Sequence, residues 1–171
     1  MKSTDCFSEI KAKSNQLVSY LEYLITTKNL LWEEHFGFNA IPIDSSWIEK
    51  ELPLKQINEI HGIKQLGLLK VENKSFYDWH VDSYRQSCIN CLISKDHHSY
   101  LLFGEFKDEY YHNNIIELKY KPDTYYLFNN QKKHAVINLD NKDRYLLSLY
   151  FEEETSYEIL REKLKNTLIY D

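Results

Sequence analysis

The sequence predicts an α+β fold that is mainly β, with helices before and after a strand-rich core. Three observations lead there. Between Gln65 and Phe151, short segments rich in Tyr, Ile, Leu and Phe alternate with polar turns. Before Gly62 and after Glu154, apolar residues recur at helical spacing instead. Gly and Pro number only 4 and 3, so no low-complexity linker divides the 171 residues. We therefore expect one domain over 1–171: a helical N-terminal support (1–62), a β-core (63–151) and a C-terminal helix (152–171). Eight strands at this spacing build a sandwich or barrel. Pattern alone leaves an eight-stranded jelly roll and an immunoglobulin-like sandwich both open.

In chain order, Leu17, Val18, Leu21, Leu24 and Ile25 place a helix within Ser14–Leu31, one face to a core. Ile41–Asp44 reads as a short extended piece. Ser45 or Ser46 can cap a short helix through Trp47 and Glu51, and Leu54–Ile60 reads as another, ending near Gly62. The predicted strands are Gln65–Val71, Phe76–Val81, Cys88–Ile93, Tyr100–Phe103, Ile115–Tyr120, Thr124–Phe128, His134–Asn138 and Arg144–Phe151. Turns fall at Glu72–Ser75, Ser94–His97, Asn129–Gln131 and Asp140–Asp143. Glu154–Leu168 returns to helical period, with Ile159, Leu160, Leu164 and Leu168 on one side. The acidic run Glu152–Glu154 suits that helix's N-terminus.

Composition excludes several classes. The chain is 43% hydrophobic and 27% charged, as a soluble globular protein is. At a net charge of −5 and without a Lys/Arg run, nucleic acid ranks below peptides and small metabolites as a partner. Met1–Glu9 has no apolar signal region, and no apolar run reaches the ~18 residues of a membrane span. Cys6, Cys88 and Cys91, an odd and sparse set, fit a reducing compartment, so the expected location is the cytoplasm. Cys88 and Cys91 have CxxC spacing, but no second pair completes a zinc site, and on a strand the two thiols face opposite ways. His97, His98 and His112 read as loop residues. His35 and His61 have no carboxylate at useful spacing.

The chemistry concentrates in His80-Val-Asp82, then His134 54 residues after His80, then Arg144 ten further on. On an extended strand His80 and Asp82 point the same way, with Trp79 and Val81 opposite. Two imidazoles and one carboxylate can hold one face of an octahedral metal and leave three positions open, as in non-haem Fe(II) oxygenases. Arg144 opens the strand after His134, and its planar guanidinium can take a carboxylate bidentately. Ser148 shares its parity and can add a hydrogen bond. Asn90, with the parity of Cys88 and Leu92, is a further candidate for binding a small acid, as are Tyr77 and Tyr126.

From about Gln65 to Phe151, roughly half the chain, the sequence resembles the Fe(II)- and 2-oxoglutarate-dependent oxygenases. The matching elements are His80-Val-Asp82, the approach Lys121–Phe128, His134-Ala-Val, and Arg144–Phe151 in that order. Arg85–Asn90 also resembles small members of the prolyl and aspartyl/asparaginyl hydroxylase groups. Lys121-Pro-Asp123 departs from the glycine that many members carry before the aspartate. The resemblance implies a double-stranded β-helix (the jelly roll), Fe(II) on His80, Asp82 and His134, and 2-oxoglutarate clamped by Arg144. It further implies O2-dependent hydroxylation of a small molecule or protein side chain, with release of succinate and CO2. The competing readings are a cupin-like isomerase or ligand-binding module, and a scaffold that has lost its metal. The helices before Gly62 and the loop Lys95–Asn114 are expected to form a lid. Substrate identity and oligomeric state are beyond the sequence.

Overall fold

The computed structural model describes residues 1–13, 16–35, 37–94, 98–107, 112–165 and 168. The expected helix start at Ser14, most of the turn Ser94–His97, and part of the loop Lys95–Asn114 lie outside these residues. Among the described residues, eleven strands and four helices follow a short 3-10 turn at Ser3–Asp5. In chain order they are β1 (Phe7–Lys13), α1 (Gln16–Thr27), β2 (Glu33–His35), β3 (Phe38–Ile43), α2 (Trp47–Lys50) and α3 (Leu52–Ile60). Then come β4 (Ile63–Val71), β5 (Ser75–His80), β6 (Ser87–Leu92), β7 (Ser99–Phe106) and β8 (His112–Glu117). The last are β9 (Thr124–Asn129), β10 (His134–Asn138), β11 (Arg144–Phe151) and α4 (Tyr157–Lys165).

The strands form two antiparallel sheets. One has seven strands in the order β1-β9-β6-β11-β4-β3-β2, and the other four, β5-β10-β7-β8. This is the mainly β jelly-roll architecture that the sequence predicts. The large sheet alternates its side chains between two apolar layers. Ile89, Cys91, Leu147, Leu149, Leu66 and Leu68 face outward against Leu17 and Leu21 of α1, Leu54 and Ile57 of α3, and Leu160 and Leu164 of α4. Cys88, Tyr126, Phe128 and Val71 face inward against Leu101, Phe103 and Val136 of the small sheet. Each fully buried leucine or isoleucine in these layers contributes about 1.5–3 kcal/mol. Cys88 and Cys91 do lie on opposite faces of β6.

All eight core strands form where the sequence places them, within three residues at each end. The first 62 residues carry the expected helices and, within β3, the expected extended piece at Ile41. They also carry β1 and β2, which were not expected, and β1 lies at the far edge of the large sheet against β9. The helices do not form a lid, because α1 and α3 are held on the outer face of that sheet by their leucines. Buried Glu51 joins them, accepting a hydrogen bond from the Leu17 amide at the start of α1. At the other end α4 begins only at Tyr157, so Glu152–Glu154 precedes it, and the Glu154 carboxylate instead accepts the Gln86 amide at 2.8 Å.

Candidate metal centre

The site lies between the sheets, in a cavity of about 530 Å³. The small sheet supplies His80 and His134, which stand opposite each other on β5 and β10. Their orientation departs from simple alternation. Between the pairs His134–His80 and Val136–Tyr77, one residue of β10, Ala135, faces two of β5, so β5 carries a bulge at Asp78–Trp79. A bulge re-aims the residues beside it. Tyr77 and His80 therefore both line the cavity, with ring centres 4.1 Å apart. Trp79 packs on Phe106 and over Gly104, where a Cβ would come within 2.9 Å of its ring.

Both histidines turn the same nitrogen to the main chain. His80 Nδ1 lies 2.6 Å from the Asp78 carbonyl, and His134 Nδ1 lies 2.8 Å from the Lys132 carbonyl. A carbonyl accepts, so each Nδ1 carries a proton, and in the neutral ring Nε2 is the nitrogen left with a lone pair. Burial, reinforced by the neighbouring His80, pulls the His134 pKa down to about 4, and it is neutral at pH 7.

Asp82 is not on a strand. β5 ends at His80, and the following loop is tied to the β9–β10 turn. The Asp82 amide donates to the Asn130 carbonyl (3.2 Å), the Asn130 amide to the Gln86 carbonyl (3.1 Å), and Gln131 Nε2 to the carbonyls of Asp82 and Arg85 (both 3.0 Å). These bonds bring Asp82 Oδ1 to 3.5 Å from His80 Nε2 and 3.7 Å from His134 Nε2. Burial raises the Asp82 pKa, but the close His80, the Arg85 guanidinium and the Asn130 hydrogen bond outweigh it. The carboxyl stays well below the usual carboxylate range. Two nitrogen lone pairs and a carboxylate oxygen thus converge with all three ligand atoms within 4.8 Å of one another. Acceptors that face each other repel, and a cation between them removes the conflict. Ligand bonds of about 2 Å span these separations, and the donor set suits a first-row metal with open positions.

Arg144 lines the same cavity from the large sheet and is only 3% exposed. Burial lowers its pKa, but a guanidinium does not lose its proton in proteins. Among the described residues its close partner is the ring of Tyr120, 5.7 Å from the guanidinium carbon, and Nε has no hydrogen-bond partner. The buried Tyr120 hydroxyl also has none, and neither has Asn90 Oδ1. Both residues line the cavity. A buried cation beside unpaired polar atoms is costly until an anion joins it.

The structure brings together His80, Asp82, His134, Arg144, Asn90 and Tyr77. Ser148 is level with Asn90 on the adjacent strand, and its Oγ accepts a hydrogen bond from Arg85 Nη1 at 3.3 Å. Tyr126 lies apart from the cavity lining. Its hydroxyl accepts the Lys121 amide at 3.2 Å and faces Glu9 Oε2 at 3.5 Å. Sequence reasoning missed Tyr120, Arg85 and Asn130, and left His35 aside, although it stacks on Phe38 at the cavity wall. In the Lys121-Pro-Asp123 turn, Asp123 itself adopts the left-handed region, at φ +56°.

No protein-family model and no curated protein matches the sequence. Solved structures do. A prolyl-4-hydroxylase from Pseudomonas putida superposes with a TM-score of 0.61 at 12% identity, over 87% of this chain and 93% of its own. A prolyl hydroxylase from Trichoplax adhaerens, in complex with a hypoxia inducible factor peptide, gives 0.58 at 13% identity over 94% and 87%. HygX from Streptomyces hygroscopicus, with nickel, 2-oxoglutarate and hygromycin B bound, gives 0.55 at 10% identity over 84% and 81%. The chain has the fold of the Fe(II)/2-oxoglutarate oxygenases, as the resemblance in its sequence implies, and carries a His-Asp-His group that can bind a metal.

Proposed function

We propose that this protein is an Fe(II)- and 2-oxoglutarate-dependent dioxygenase. It hydroxylates a C–H bond of a small molecule or protein side chain and releases succinate and CO2. His80, Asp82 and His134 hold the iron. Arg144 takes the distal carboxylate of 2-oxoglutarate, aided by Tyr120, with Asn90 and Tyr77 on the flanks of the co-substrate. When bound, the iron supplies activation of O2 coupled to decarboxylation of 2-oxoglutarate. The chain's own part is to hold the three ligand atoms, orient the co-substrate and exclude water from the cavity.

The observation that carries this reading is Arg144. It is a buried cation without a carboxylate partner among the described residues, and it shares one cavity with a three-ligand donor set. A dicarboxylate satisfies both ends at once, one on the metal and one on the guanidinium. The cavity volume lies within the ~300–1,000 Å³ usual for small-molecule sites. HygX, bound to 2-oxoglutarate and an antibiotic, and the Trichoplax enzyme, bound to a peptide, bracket the two substrate classes. Three free, buried thiols support a cytoplasmic location.

Arg144→Ala tests the clamp. Metal affinity should stay near the wild-type value, while the Kd for 2-oxoglutarate should rise by a factor of hundreds or more. That is the consequence of losing one partner of a buried charge pair, about 3–5 kcal/mol. Equal 2-oxoglutarate affinity in the two proteins, measured by calorimetry on the metal-loaded forms, would reject Arg144 as the anchor.

A further inference from the structure

We infer that Arg85, together with Asn130, is a positioning residue that fixes which oxygen of Asp82 faces the metal site. The inference rests on the metal site proposed above and deepens it. Sheet register does not orient Asp82, because β5 ends two residues earlier. The orientation comes from Oδ2, which accepts Arg85 Nη2 at 2.9 Å, Arg85 Nε at 3.1 Å and Asn130 Nδ2 at 2.5 Å. With Oδ2 held on three sides, Oδ1 is the oxygen turned to both Nε2 atoms.

The consequence is chemical. A carboxylate can bind a metal through one oxygen or through both. Ligation through both would take two of six octahedral positions and leave two. A bidentate co-substrate and O2 together need three. The guanidinium fork and the amide occupy Oδ2 and so keep Asp82 to a single ligand atom. The fork is itself anchored, with Arg85 Nη1 on Ser148 Oγ at 3.3 Å and the Arg85 carbonyl held by Gln131 Nε2 at 3.0 Å. Asn130 is 1% exposed and cannot swing away. Only a planar fork makes two bonds to one oxygen and a third to the next strand; a lysine ammonium is a point charge on a flexible stem.

The test uses Co(II) as the probe, titrated into the full chain without oxygen. Arg85→Gln should weaken Co(II) binding by roughly 10–100-fold, the usual effect of removing a partner of a metal ligand. Arg85→Lys should not restore it. Asn130→Ala, which removes one contact to the same oxygen and leaves the fork, should weaken binding less and serves if Arg85→Gln fails to fold. A purely structural role would lower the thermal midpoint of the metal-free variants and leave the Co(II) Kd alone. Wild-type Kd in Arg85→Gln and Asn130→Ala, or full rescue by lysine, would overturn the positioning role. Wild-type protein that binds no Co(II) at all would overturn the metal site and this inference with it.

Discussion

The two histidines have their tautomers set by the fold itself. Each places Nδ1 on a main-chain carbonyl two residues before it, Asp78 for His80 and Lys132 for His134. Each therefore presents Nε2 as a lone pair, which is the form a metal needs. Asp82 adds the one anionic oxygen. Asp82→Ala should therefore raise the Co(II) or Fe(II) Kd by roughly 100-fold or more, beyond what loss of an outer partner costs. An unchanged Kd, measured by anaerobic titration, would remove Asp82 from the proposed ligand set. These residues and Arg144 were legible in the sequence because their order and spacing are a local, linear signal. Arg85, Asn130 and Tyr120 were not. They act across loops, through contacts between residues as far apart as Asp82 and Asn130, and loops carry no periodicity to read.

At the scale of elements, irregularity does much of the placing. A regular β5 would alternate Tyr77, Trp79 and Val81 on one face with Asp78, His80 and Asp82 on the other. The bulge puts Tyr77 and His80 on the same face, and the loop after His80 delivers Asp82 from outside the sheet. The sequence argument thus grouped His80, Asp82 and His134 through alternation that the strand does not keep. The core strands were legible from their aromatic and aliphatic runs. β1 was not, since Phe7–Lys13 mixes Ser8, Glu9, Lys11 and Lys13 with few apolar residues. β2 is three exposed residues, Glu33–His35. Yet the β2–β3 hairpin forms the cavity wall where helices were expected, with Phe38 against Tyr77 at 5.8 Å. Gly37 fits that wall tightly: its φ is +81°, and a Cβ there would come within 2.4 Å of the Tyr77 ring. Gly37→Ala should destabilise the protein by about 1–3 kcal/mol from the left-handed backbone alone, read as a lower urea midpoint. A midpoint equal to wild type would show that the hairpin does not hold Tyr77.

At the scale of the whole molecule, two sheets share one task. The small sheet carries the two histidines, and the large sheet carries Arg144 and Asn90, so the proposed iron and the far end of the co-substrate are held by opposite layers. Helices α1, α3 and α4 cover the outer face of the large sheet and contribute no residue to the cavity lining. No helix among the described residues is long and apolar enough to cross a membrane. The central claim is that one cavity holds Fe(II) and 2-oxoglutarate together. It is tested most directly by titrating both, without oxygen, into the purified protein and following the visible charge-transfer absorption of the chelate. The account predicts a band that requires both components and is lost in His80→Ala. Folded protein that binds metal and gives no band with 2-oxoglutarate would contradict it, and would point instead to a cupin-like isomerase or binding module.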